Sequence, residues 1–233
     1  PSPDAYKTAI GAGDHRFQAY CYRLCLTDAP ENRVSITKPK GYDEADFEIV
    51  LRAVEAGKRQ RFFKTSPMPN RKTDSNNTSG ISMDYIGKNY GIDKNGKPWN
   101  WATIKHEQRD VLAKEHAYWQ LGLIWTIQNH PRVPGEIRKA WSKWGLCRDE
   151  FADNDGIPYN LYVREARRMS SLFVMTEAHC RNELPIEDSI AMGAYTMDSH
   201  NVQRLVQNGI VRNEGDIQKP LRNKGPYRIS YRA

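Results

Sequence analysis

No apolar run in the 233 residues approaches the 18 or more that a membrane-crossing helix needs, so no membrane span is expected. Cysteine is scarce as well. Cys21, Cys25, Cys147 and Cys180 are too few and too scattered for a zinc cage, which wants closely spaced pairs such as C-x2-C. A chain of this length can bury roughly 70–75% of its unfolded surface, so it needs no disulfide framework and the four thiols read as ordinary buried groups. G-x-S-x-G, the Walker loop and H-E-x-x-H are all missing. Gly11-Ala12-Gly13 starts a dinucleotide fingerprint, but Arg16 stands where its third glycine belongs and no apolar strand precedes it. Basic residues are not interleaved with aromatics at the spacing of a nucleic-acid motif, so no nucleic-acid partner is expected. The chain opens on Pro1 with no signal segment, which reads as a fragment or a processed product.

What is present is polar and basic. Thirty-five Lys and Arg against 28 Asp and Glu give a net charge of +7, a balance that attracts phosphate, carboxylate or an acidic partner. Mean hydropathy is −0.78, yet twelve Tyr, six Trp and six Phe supply large core pieces. Residues 16–27 read as a strand from their aromatic and apolar content. Asp43 caps a helix in which Phe47, Val50, Leu51 and Val54 recur at helical spacing and which Gly57 ends. A longer helix is expected from Asn100 to Asn129, with Val111, Leu112, Trp119, Leu123 and Ile127 as its buried stripe. Pro134 opens a third, which Gly145 follows. Residues 66–98, rich in Gly, Asn, Pro and Ser, predict a long site loop. Strand-like pieces return near 190–198, 210–218 and 226–232. The fold class this implies is α+β.

Three groups of residues suggest chemistry. The run LYVREARRMSSLFVMT, residues 161–176, sets fixed positive charge between apolar flanks as though in a core element. On a strand, Tyr162, Arg164 and Arg168 share a face. Guanidinium keeps its charge, so burial demands a partner, and two readings stay open: a structural ion-pair network, or a clamp for substrate oxygens. Asp198 and His200, two apart on extended backbone, point the same way, so the carboxylate could fix the imidazole's tautomer for proton transfer. Lys72, Asp74 and Asn76, with Thr73 and Asn77, form either a self-bonded turn or a surface for a hydroxyl-rich ligand.

The ordered phrases QAYCYRLCLT, ENRV, KPKGYD, MPNRKTDSNN, LYVREARRM, VMTEAHC, EDSIAMGAYTMDSHNVQR, NEGD and PYRISYR resemble the middle portion of a family of bacterial FAD-dependent oxidoreductases, from about residue 13 to 232. The resemblance implies a glutathione-reductase-like flavoprotein. Residues 1–233 would be its substrate-side segment, with a mixed or antiparallel sheet and a helical insertion at about 43–146. The Rossmann segments that bind FAD would be missing at both ends of the chain. It also implies hydride transfer between flavin and a small-molecule substrate, for which a sugar- or polyol-like compound is the candidate. In that frame His200 and Asp198 are the expected catalytic pair, while Arg164, Arg168, Tyr162, Lys72, Asp74 and Asn76 are the expected substrate contacts. The competing reading is a non-catalytic module that binds an acidic polysaccharide or another anionic ligand.

Overall fold

The computed structural model describes residues 13–78, 80–219 and 225–233, so Gly11 and Ala12 of the partial fingerprint lie outside the described residues. Strands β1 (Leu24–Thr27) and β2 (Arg33–Val34) precede a 3-10 turn at Glu44–Phe47 and helix α1 (Glu48–Glu55). Next come β3 (Ser66–Met68), β4 (Lys72–Ser75), β5 (Tyr90–Ile92) and β6 (Pro98–Asn100), then the long helix α2 (His106–Asn129), α3 (Gly135–Trp141) and β7 (Gly145–Cys147). A largely irregular stretch leads to α4 (Glu177–Cys180). The strands β8 (Ser189–Gly193), β9 (Met197–Asp198), β10 (Asn201–Gln207), β11 (Ile210–Gly215), β12 (Gln218–Lys219) and β13 (Tyr227–Ser230) complete the chain. Five strands make one antiparallel sheet in the order β2-β7-β1-β4-β3, and the others pair as the ribbons β5–β6, β8–β13, β9–β12 and β10–β11. The fold is α+β. No helix among the described residues is long and apolar enough to cross a membrane.

The core joins β1 to α1 and α2. Asp43 Oδ1 accepts the Ala45 N–H at 3.0 Å, which satisfies a donor at the first turn, and Phe47, Val50, Leu51 and Val54 are buried as their spacing predicts. Helix α2 starts six residues later than expected, because Pro98–Asn100 pairs with β5 and Asn100 Oδ1 turns the chain by accepting the Ala102 N–H at 3.1 Å. Its buried stripe holds Trp119, Leu123 and Ile127 but also His116 and Gln120, whereas Val111 is exposed. Tyr42, Phe47, Trp119 and Tyr85 stack in series, with ring centroids 4.9, 5.4 and 5.1 Å apart. Gly122 makes room for that stack: a Cβ there would lie 2.1 Å from Phe47 Cζ.

Two expectations need correction. Residues 66–98 are not one loop, since β3 and β4 belong to the main sheet and β4 pairs with β1 through Leu24↔Ser75 and Leu26↔Thr73. The strand was hidden because its inward positions are hydroxyls rather than apolar groups. Thr73 Oγ1 donates to the Leu26 carbonyl at 3.1 Å and lies 2.8 Å from Ser75 Oγ, so both residues are buried with partners. Residues 161–176 are not a core element either. They form an irregular segment held by an isolated bridge, Tyr162 to Cys21; Leu161 packs against the core, but Met169, Leu172 and Val174 face outward, with Leu172 89% exposed.

Candidate active site

Residues 18–22, just before β1, are the hub of the site. Ala19 N–H donates to the Asn201 carbonyl at 2.8 Å, the Tyr20 carbonyl accepts from Tyr85 N–H at 3.1 Å, and the Cys21 carbonyl accepts from Tyr162 N–H at 3.0 Å. Gln120 of α2 brackets Tyr22, accepting its N–H at 2.6 Å and donating to its carbonyl at 2.9 Å. Each backbone group that would otherwise be buried without a partner thereby ties a different part of the chain to this segment.

The side chains gathered around the hub centre on Asp84, which is fully buried. His200 Nδ1 lies 3.0 Å from Asp84 Oδ2, and Arg164 Nη2 lies 3.1 Å from Asp84 Oδ1. Arg164 also donates from Nη1 to the Ala19 carbonyl at 2.6 Å and from Nη2 to Cys21 Sγ at 3.3 Å. Burial, reinforced by the Asp84 charge, pushes the Cys21 thiol up to about 12, so it stays protonated at neutral pH. The positive charge set among apolar flanks is thus one buried guanidinium matched to one buried carboxylate, as a low-dielectric interior requires. Asp84 Oδ1 and Arg164 Nε nevertheless lack a well-aligned hydrogen bond.

The expected site residues separate into two groups. His200 Nε2 is 3.8 Å from Asp198 Oδ1, beyond hydrogen-bond reach, so Asp84 is the carboxylate that touches the ring. Asp198 instead lies 3.3 Å from Tyr195 Oη. Arg168 is exposed and stands apart from Asp84 and His200, while Arg167 Nε reaches the Ala102 carbonyl at 3.1 Å. Lys72 Nζ is held by Asp149 at 2.8 Å and Glu150 at 2.5 Å. Asp74 pairs with Arg23, whose Nε is 3.1 Å from Oδ1, and accepts from Asn76 Nδ2 at 2.9 Å. Lys72 and Asp74 line a groove of about 530 Å³ together with Arg23, Cys25, Glu150 and Phe151, while Asn76 lies buried behind Asp74. Tyr162 links the groups, its ring centroid 5.2 Å from the guanidinium carbons of both Arg23 and Arg164.

Asp84 and Arg23 were missed by sequence reasoning. Asp84 had a usable signal: it is the one charge in ISMDYI, a run whose Met83 and Ile86 are buried, and a carboxylate there must find a partner.

His116, fully buried beside this cluster, gives the fold a pH-dependent term. Its Nε2 is 2.9 Å from Asn89 Oδ1, and burial lowers its pKa to about 4, with the Asp84 charge opposing the drop. Between the unfolded value of about 6.5 and that level the unfolded chain binds the extra proton, so stability falls as pH falls through this window. The full penalty is roughly 3 kcal/mol, reached near pH 4. In His116→Gln the urea midpoint is expected to lose much of its decline between pH 7 and 4.5. An unchanged decline would show that other groups carry it.

The family model described as FAD dependent oxidoreductase matches residues 3–233. The chain belongs to the FAD-dependent oxidoreductase family. No curated protein and no solved structure matches it. Among the described residues, the starts of the longer helices do not suit an FAD pyrophosphate, which favours free backbone amides at a helix start. Each helix of seven or more residues instead begins with a carboxylate in its first turn: Glu48 in α1, Glu107 in α2 and Glu136 in α3. These side chains favour their own helix starts and repel phosphate.

Proposed function

We propose that this chain is the substrate-side part of a flavin oxidoreductase, and that His200 accepts the proton released when a hydroxylated small molecule is oxidised. The observation that carries the proposal is the Asp84–His200 contact. A carboxylate at Nδ1 keeps that proton on Nδ1 and leaves Nε2 with a free lone pair, the tautomer a proton acceptor needs. The ring is anchored further by its own backbone, since His200 N–H donates to Gln18 Oε1 at 2.8 Å. In this reading Arg164 is a positioning residue that fixes Asp84. Tyr162, Arg23, Lys72 and Asp74, the last held from behind by Asn76, form the polar surface that receives the substrate's hydroxyls.

FAD binding is assigned to polypeptide outside the described residues. Two-stranded ribbons are marginal by themselves, and these ones expose apolar side chains: Ile190 and Met192 on β8, Val206 on β10, Ile210 and Val211 on β11. A dinucleotide-binding domain seated there would cover them. The groove's cations are already neutralised by Asp74, Asp149 and Glu150, which weighs against a module for acidic polysaccharide.

The test is anaerobic bleaching of the flavin's visible absorbance in the full-length protein, offered a panel of polyols, sugars and organic acids. Bleaching by hydroxylated neutral compounds is expected. A protein that remains colourless after FAD reconstitution, or one reduced by organic acids alone, would overturn the reading.

A further inference from the structure

Outside the Asp84 cluster, two thiols meet across the main sheet. β1 and β7 pair antiparallel through Leu26↔Leu146 and Thr27↔Gly145, and one further step of that register sets Cys25 opposite Cys147. Their Sγ atoms are 3.5 Å apart and both cysteines are free. Residues directly opposite on antiparallel strands have Cα atoms about 4.5–5.5 Å apart, inside the range of about 4.4–6.8 Å that a disulfide spans. The two thiols differ in access. Cys25 is half-buried and lines the groove beside Lys72, whereas Cys147 is buried. The other cysteines, Cys21 and Cys180, have no comparable thiol partner among the described residues.

We propose that Cys25 and Cys147 are a thiol–disulfide exchange site, which a small-molecule disulfide oxidises to a cross-strand bond joining β1 to β7. The Cys25 thiolate attacks one sulfur of the external disulfide, whose S–S bond breaks to release one thiolate and leave a mixed disulfide on Cys25. Cys147, losing its proton to solvent, then attacks Cys25 Sγ and expels the second external thiolate. Two protein thiols lose two electrons and two protons, and one external disulfide becomes two thiols, so the exchange balances. Burial raises both thiol pKa values, that of Cys147 to about 12, while the nearby Lys72 charge works in the opposite direction for each. Exchange is therefore slow at neutral pH and accelerates as pH rises. The proposal does not depend on the substrate reading above.

The test equilibrates the full-length flavoprotein in glutathione buffers of graded oxidation, blocks free thiols by alkylation, and maps the products by mass. Trypsin separates all four cysteines, because Arg23 divides Cys21 from Cys25, while Cys147 and Cys180 fall in WGLCR and MSSLFVMTEAHCR. The expected product joins LCLTDAPENR to WGLCR, two hydrogens lighter than the separate peptides and reversible by dithiothreitol. In Cys147→Ser, glutathione should remain attached to Cys25, and in Cys25→Ser the Cys147 thiol should stay unmodified. The inference is overturned if wild-type Cys25 retains glutathione while Cys147 still alkylates, if Cys25 joins Cys21 or Cys180 instead, or if both thiols stay reduced in fully oxidised glutathione.

Discussion

Replacing Asp84 with alanine is expected to destabilise the protein by about 3–5 kcal/mol, a large share of the roughly 5–15 kcal/mol that holds a folded domain together. The loss comes less from the missing attraction than from what stays behind. Arg164, its side chain 6% exposed, keeps its charge but is left with the Ala19 carbonyl, Cys21 Sγ and the face of the Tyr162 ring, none of which carries a balancing negative charge. Arg204 of β10 suffers too. Burial has already pushed its pKa down to about 10, and Asp84 supplies the opposing stabilisation. If this account holds, adding Arg164→Met to the Asp84→Ala protein should restore part of the loss, because the charge no longer matched is removed with its partner. Urea denaturation of the four proteins in that cycle gives the coupling directly. An Asp84→Ala midpoint close to wild type, or strictly additive single losses, would mean that the ion pair organises nothing.

The parts of the fold legible in the sequence were those whose signal is local. Asp43 and Gly57 bracket α1, and the Phe47, Val50, Leu51 and Val54 stripe is buried, because a helix declares its inward face through spacing alone. β11 falls in the strand-like piece near 210–218, but its partner β10 was not read from the sequence, although Asn208-Gly209 between them, both at positive φ, is a dipeptide that suits a tight two-residue turn. β4 was not legible, since its stability rests on hydroxyl bonds to a strand some 47 residues away rather than on an alternating pattern. The site divides along the same line. The reading that Asp198 orients His200 followed from closeness in sequence, but Asp84 takes that position from 116 residues upstream, and no periodicity encodes such a pairing. Tyr162, Arg164 and His200 do meet around one hub. Arg168 does not, because 161–176 leaves the core after Arg164 and Glu165, whose carboxylate accepts the Gln18 N–H at 2.6 Å.

His200→Gln in the full-length flavoprotein should slow substrate-dependent flavin reduction about 10²–10⁴-fold, the usual range for loss of a positioned proton acceptor. Glutamine retains a polar side chain of similar reach but cannot take a proton at neutral pH, so the shape of the rate–pH profile should change along with the rate. Asp84→Asn probes the same step from the other side. An amide that donates its N–H to Nδ1 would hold the opposite tautomer, with the proton on Nε2 and no lone pair there, so the rate should fall even where flavin content is intact. Asp198→Ala should cost only a few fold, since its carboxylate stands 3.8 Å from Nε2 and does not align the ring. Stopped-flow measurement of flavin bleaching across pH 5–9 separates the outcomes. A His200→Gln enzyme with the wild-type rate and profile would remove the imidazole from proton transfer. An Asp198→Ala enzyme as slow as His200→Gln would return the orienting role to Asp198 and leave the Asp84 contact a matter of packing alone.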